Sequence, residues 1–166
     1  RDWSSDVCSS DLAPRALATG FQTTASGENS TSMGRNTTAS GTNSTAMGSG
    51  TDASAPRALA TGFQTTASGE NSTAMGNGTS ASGDNSTAIG RNTIANAYVS
   101  TAMGNATIAS GSQSTAMGNA TTASGSNSTA MGSGTTASGN RSVAMGLNTT
   151  ASGIYSVASE IGRAHV

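Results

Sequence analysis

Ser114-Thr115-Ala116-Met117-Gly118-Asn119-Ala120-Thr121-Thr122-Ala123-Ser124-Gly125-Ser126-Asn127 is followed at once by Ser128-Thr129-Ala130-Met131-Gly132-Ser133-Gly134-Thr135-Thr136-Ala137-Ser138-Gly139-Asn140-Arg141. The second stretch restates the first, and the interval is 14 residues. Working outward, pentapeptides of this Ser-Thr-Ala-Met-Gly type begin at Ala16, Ser30, Ser44, Ala58, Ser72, Ser86, Ser100, Ser114, Ser128, Ser142 and Ser156, without slippage. Counting places from that first residue, a second pentapeptide of the type Thr-Thr-Ala-Ser-Gly fills places eight to twelve, as at Thr23–Gly27, Thr121–Gly125 and Thr149–Gly153. Strict short periodicity marks a solenoid, in which each repeat is one coil stacked on the last. Like residues in rows also differ from a catalytic pocket, which needs unlike residues converging on a point.

The two ends depart from the repeat. Asp6–Asp11 and Ile161–Val166 can be encoded by strings that are reverse complements over their full length, and the extended string resembles a sequencing-library adapter read in frame. Residues 1–12 and 160–166 are therefore expected to be non-biological, leaving 13–159 as repeats. The ends hold the only cysteine (Cys8), tryptophan (Trp3) and histidine (His165). Between them stand five arginines (Arg15, Arg35, Arg57, Arg91, Arg141) and four acids (Glu28, Asp52, Glu70, Asp84), a net charge of +1. So small a charge argues against capture of nucleic acid or an anionic membrane, which needs clustered basic residues. No apolar stretch is long enough to span a bilayer as a helix, so no direct membrane contact is expected. The chain begins inside a repeat, and its signal and anchoring parts are expected to lie outside this fragment.

Leu, Ile, Val and Phe number only 16 of 166 residues, a content that ordinarily accompanies disorder. Register opposes that reading: Met, Ile, Thr or Ser at place four, Gly at place five, Ala at place ten and mostly Gly at place twelve. Disorder needs no such register. Alternation puts Thr129 and Met131 on one face of a strand, Ser128 and Ala130 on the other. Thr121, Ala123 and Gly125 likewise share a face, opposite Thr122 and Ser124. Each coil then reads as two short strands joined by tight two-residue corners, with about ten coils giving a rod on the order of 50 Å.

The place-five glycines, among them Gly34, Gly48, Gly76, Gly104, Gly118, Gly132 and Gly146, are expected at corners, where glycine removes the steric cost of positive φ. At place twelve, Ala55 and Ala97 replace glycine and mark coils with altered corners. Pro14 and Pro56 also suit corners or strand edges. With one Met per coil as its largest core side chain, a lone roll looks poorly stabilised against the cost of ordering its residues. Several identical chains are therefore expected to bundle in a closed ring.

Asn29-Ser30-Thr31-Ser32-Met33-Gly34, Asn43-Ser44-Thr45-Ala46-Met47-Gly48, Asn85-Ser86-Thr87-Ala88-Ile89-Gly90 and Arg141-Ser142-Val143-Ala144-Met145-Gly146 resemble the Asn-Ser-Val-Ala-Ile-Gly repeat of YadA-like head domains. Those heads belong to trimeric autotransporter adhesins of Gram-negative bacteria. The resemblance implies an all-β, left-handed parallel β-roll, homotrimeric, displayed at an outer-membrane-anchored cell surface, with host extracellular matrix or a cell-surface protein as partner. This chain departs from the family pattern in carrying Thr and Met where Val and Ile are preferred. Ala13–Thr31 and Ala55–Thr73 are identical, an offset of 42 residues or three coils, which lengthens a rod without disturbing register.

Candidate ligand contacts are Phe21 and Phe63, in the spacer after a place-five glycine, together with Tyr98, Arg15 and Arg57; Tyr155 is the remaining aromatic outside the ends. The Asn-Ser-Thr triplets match a glycosylation acceptor pattern, but the repeat generates them automatically. Catalysis is not expected: between the ends there is no His, Cys or Lys, and the scattered carboxylates form no pair. No cofactor is expected, and no metal either, since the Gly-Gly-x-Gly-x-Asp calcium pattern does not occur. Two other readings compete with adhesion. One is ice binding through the ranked place-eight threonines Thr23, Thr37, Thr51, Thr65, Thr79, Thr93, Thr107, Thr121, Thr135 and Thr149; the other is a passive spacer.

Overall fold

The structure is a computed structural model that describes residues 9–11 and 13–160. Cys8, Trp3, His165 and most of both adapter-like ends lie outside the described residues. Among the described residues every regular element is a strand. Between the terminal coils, each coil contributes a five-residue strand at places two to six, such as Thr115–Asn119 and Thr129–Ser133, and a two-residue strand at places nine and ten, such as Thr122–Ala123 and Thr136–Ala137. The long strands form one 11-stranded parallel sheet and the short strands another. Pairing is offset by one repeat: Thr115 faces Thr129, Ala116 faces Ala130, Met117 faces Met131 and Gly118 faces Gly132. The protein is a parallel β-roll of 14-residue coils. Ser9–Asp11, in the stretch expected to be adapter-derived, adds a strand in the same register against Thr23–Ala25.

Backbone groups are satisfied between coils, as a solenoid requires. The Thr122 N–H donates to the Thr135 carbonyl at 2.8 Å and the Ser124 N–H to that of Ala137 at 2.9 Å. At the corners the direction reverses, with the Ala120 N–H donating back to Asn105 and the Asn127 N–H back to Ser112, both at 2.8 Å.

The two-face alternation holds, but the methionine face is the outer one. Ala116, Ala130 and Ala144 at place three, and Ala109, Ala123 and Ala137 at place ten, are fully buried, as are the hydroxyl side chains at places one and eight from Thr23 to Ser142. Met103 and Met145 by contrast are 39% and 37% exposed. The physical reason is width. The walls of so thin a roll approach closely, and only side chains of alanine, serine or threonine size fit between them. The buried hydrophobic residues are accordingly all alanines.

Two rows of hydroxyls share this interior. At place one, Ser100 donates to the Ala97 carbonyl and Ser156 to that of Gly153, both at 2.7 Å. The same carbonyl accepts the serine N–H at these corners and at others, as from Ser100 to Ala97 and from Ser128 to Gly125. Ser32 replaces the usual place-three alanine and hydrogen-bonds the Thr37 hydroxyl at 2.7 Å.

The corner assignment of the place-five glycines also shifts. Gly118 and Gly132 lie inside their five-residue strands, with φ of +123° and +124°. A Cβ on Gly118 would stand 1.9 Å from the Gly132 carbonyl oxygen. Glycine is required there by close approach of neighbouring coils as well as by the backbone angle. The residues that turn the corners are at places seven and fourteen, in the left-handed region: Asn36, Asn92 and Asn148 on one side, Asn43, Asn71, Asn85 and Asn127 on the other, with φ from 52° to 58°. Asparagine tolerates this conformation better than most residues. Val99 occupies the same position at φ 53°, an outlier for a β-branched residue. Pro14 and Pro56 sit in corners, where their carbonyls accept from Asn29 and Asn71.

Candidate functional site

The roll offers two outer faces and two edges. On the long-strand sheet the outer face carries Thr, Leu or Val at place two and Met, Ile or Thr at place four, in uninterrupted register. On the short-strand sheet it carries place nine, where Thr38, Asp52, Thr66, Ser80, Ile94, Ile108, Thr122 and Thr136 follow one another. Asp52 is the acid in that row. Burial between its threonine neighbours pushes its carboxyl above the ordinary 3.8.

The ranked threonines at place eight are not on either face. Thr23, Thr37, Thr65, Thr93, Thr107, Thr121 and Thr135 are completely buried, so they cannot meet an ice lattice. The outward place-nine row is broken by Asp52, Ser80, Ile94 and Ile108, and it does not form the flat threonine array that reading needs.

The candidate contact residues fall on opposite edges. Phe21 and Phe63 end the strands Leu17–Phe21 and Leu59–Phe63, one residue before the place-seven corner, and each is 48% exposed. They are strand residues rather than the corner residues expected, but they remain open to solvent. Arg15, Arg57 and Tyr98 stand on the other edge, at places thirteen and fourteen. Arg57 is held in its own row: its guanidinium pairs with Glu70, and its Nε donates to Asn71 Oδ1 at 2.6 Å. Tyr98 is 56% exposed and precedes Val99 in the corner. Further along the same edge Arg141 lies 5.3 Å from the Tyr155 ring centroid and donates to its hydroxyl.

Amide ladders run between these groups. Asn71 Nδ2 donates to Asn85 Oδ1, Asn127 Nδ2 to Gln113 Oε1, and Asn105 Nδ2 to Asn119 Oδ1, each pair one coil apart. No three His, Cys, Asp or Glu side chains cluster as metal ligands among the described residues. No helix among them is long and apolar enough to cross a membrane, which says nothing of a β-barrel.

The model of the YadA head domain repeat matches nine segments of the chain, overlapping from 14–37 through 109–135 and resuming at 137–159. The chain belongs to the YadA head domain family. That family is one of structural surface adhesins, and its repeat coincides with the 14-residue coil seen in the pairing of both sheets. A search of curated proteins finds no match to the chain.

Sequence reasoning missed the outward methionine row and the left-handed asparagines. A signal for the asparagines existed, since amide residues recur at places seven and fourteen next to the glycine and serine positions.

Proposed function

We propose that this chain is the head of a bacterial surface adhesin that assembles as a homotrimer and attaches to host extracellular matrix or a cell-surface protein. One observation carries the assembly: an apolar row unbroken from Met75 to Met145 faces outward on the long-strand sheet while the interior is already filled by alanine, serine and threonine. A row of Met and Ile needs a cover, and a second and third copy of the same rod supply one by symmetry. Family membership supports the adhesive role, and the full-length protein would be anchored in the outer membrane. Phe21, Phe63, Tyr98, Arg15 and Arg57 are the proposed host contacts, with the phenylalanines on one edge and the others on the opposite edge.

Sedimentation equilibrium and binding to immobilised matrix proteins test this reading together. The expected result is three times the chain mass of 16.0 kDa, with adherence that falls on Phe21→Ala with Phe63→Ala or on Tyr98→Ser. A folded monomer at micromolar concentration would remove the trimer. A trimer that adheres to no matrix protein would leave a passive spacer in place of an adhesin.

A further inference from the structure

Charges stand on the two edges of the roll in a matched order. Arg35 and Arg91 are both at place six, ending the strands Thr31–Arg35 and Thr87–Arg91, and both are exposed. Neither guanidinium has a hydrogen bond or ion pair among the described residues. No acid of the repeats shares that edge. Glu28, Glu70 and Asp84 are at place thirteen on the opposite edge, and Asp52 lies on the short-strand face. Glu70 is held by Arg57 of its own chain. The Glu28 carboxylate has no such partner among the described residues, and that of Asp84 accepts only the Glu70 N–H, at 3.0 Å. Seven residues, half a coil, separate Glu28 from Arg35 and Asp84 from Arg91. Glu70, already paired, stands in the same relation to the uncharged Asn77. Within one rod these groups lie on opposite edges and do not meet.

Three rods around a threefold axis, each turning its long-strand face inward, set the place-six edge of one against the place-thirteen edge of the next. Half a coil is about 2.4 Å of rise, well within the reach of an arginine side chain. Place six of a coil can then stand beside place thirteen of the coil before it, or beside that of its own coil. The second choice opposes Arg35 to Thr42, Arg91 to Tyr98 and Asn77 to Asp84, and pairs no charges. The first opposes arginine to acid twice. We infer that each rod of the trimer is keyed to the next through Arg35 against Glu28, and Arg91 against Asp84, of the neighbouring copy. This rests on the homotrimer proposed above and adds the feature that sets its register. The place-four row repeats every coil and tolerates a slip of one coil, whereas such a slip leaves Arg35 facing Pro14 or Thr42. The same offset levels Phe21 with Pro14 and Phe63 with Pro56 of the neighbouring copy. Loss of adherence in the phenylalanine variant therefore reports a host contact only where the trimer persists.

The test mixes ordinary and isotopically labelled full chains, both carrying Cys8→Ser, and follows subunit exchange by nondenaturing mass spectrometry. Arg35→Glu combined with Arg91→Glu should speed exchange about tenfold or more, because two attractive pairs at each of three seams become repulsive. Glu28→Arg combined with Asp84→Arg should do the same, each with an unchanged circular dichroism spectrum. All four changes together should restore slow exchange, which the loss of an unrelated contact would not allow. Added salt should shrink the difference between each double variant and the parent. Parent-like exchange in both double variants, or no rescue in the fourfold variant, would overturn the keyed seam and leave the trimer standing. A parent chain that is monomeric in the same spectra would remove the homotrimer, and the seam with it.

Discussion

Gly118→Ala and Gly50→Ala make the same chemical change at two positive-φ glycines and should differ sharply in effect. At Gly118 the added Cβ would stand 1.9 Å from the Gly132 oxygen, 2.9 Å from its carbonyl carbon and 3.1 Å from its nitrogen, all backbone atoms of the next coil. Relief requires two hydrogen-bonded coils to part by more than an ångström or so, at a φ of +123° that alanine also disfavours. Strain of about 1–3 kcal/mol and overpacking of about 1–3 kcal/mol sum to about 2–6 kcal/mol. At Gly50 the nearest atom is the flexible Gln64 Cγ at 3.6 Å, and φ is +66°. Only the left-handed penalty of about 1–2 kcal/mol applies there. For a chain of this length 1 kcal/mol corresponds to about 2–4 °C in Tm. Thermal unfolding followed by circular dichroism should show Gly118→Ala lowered by about 4–24 °C and Gly50→Ala by about 2–8 °C. In a quasi-one-dimensional stack, hydrogen exchange in Gly118→Ala should rise chiefly between places of the coils 114–141. Equal losses at the two sites would refute the close-approach argument.

Val99→Asn should stabilise the chain by about 1 kcal/mol in denaturant titrations, because asparagine accepts the left-handed backbone that valine resists and extends the amide column between Asn85 and Gln113. Ala116→Leu, in the closed interior, should cost about 3 kcal/mol, whereas Met117→Leu on the outer face should cost less than about 1.5 kcal/mol; reversal of that order would place the methionines inside. The folded chain holds the Asp52 proton more tightly than the unfolded chain, so stability should fall as pH rises from about the ordinary 3.8 through the raised folded value. Asp52→Thr should flatten that segment of the stability–pH curve. The purified rod should show no thermal hysteresis, since its place-eight threonine row is buried and its outward place-two row is broken by Leu17, Leu59 and Val143. Resequencing of the source DNA should replace residues 1–12 and 160–166 while keeping 13–159.

Coil length, strand pairing and the alternation of faces were legible in the sequence because each depends only on periodicity. The choice of inner face was not. Hydropathy alone favours Met117 over Ala116 for the interior, but the deciding quantity is the gap between the two sheets, which no single residue expresses. Its trace is the uniformity of size: place ten is alanine throughout, while place four changes among Met, Ile, Thr and Ser. A position that accepts so many sizes faces open space. The place-five glycines were misplaced for a related reason, since positive φ can bend a strand as well as a corner, and only the approach of Gly132 to Gly118 distinguishes the two. At place twelve the substitutions were informative. The N–H groups of Gly111, Gly125 and Gly139 donate to the place-ten carbonyl of the next coil, a bond not repeated at Ala97, whose N–H meets Ser100 Oγ instead.

The fold makes one winding per 14 residues, and distances between spin labels measure that directly. Ser40, Ser54, Ser82, Ser110 and Ser138 share place eleven and are all exposed. Labels paired with position 40, in a Cys8→Ser background diluted with unlabelled chain, should separate by about 4.8 Å per coil. That gives about 14 Å to position 82, about 24 Å to position 110 and about 34 Å to position 138. Distances growing as the square root of sequence separation, to about 50–60 Å at position 138, would describe a flexible chain and contradict the stacked roll.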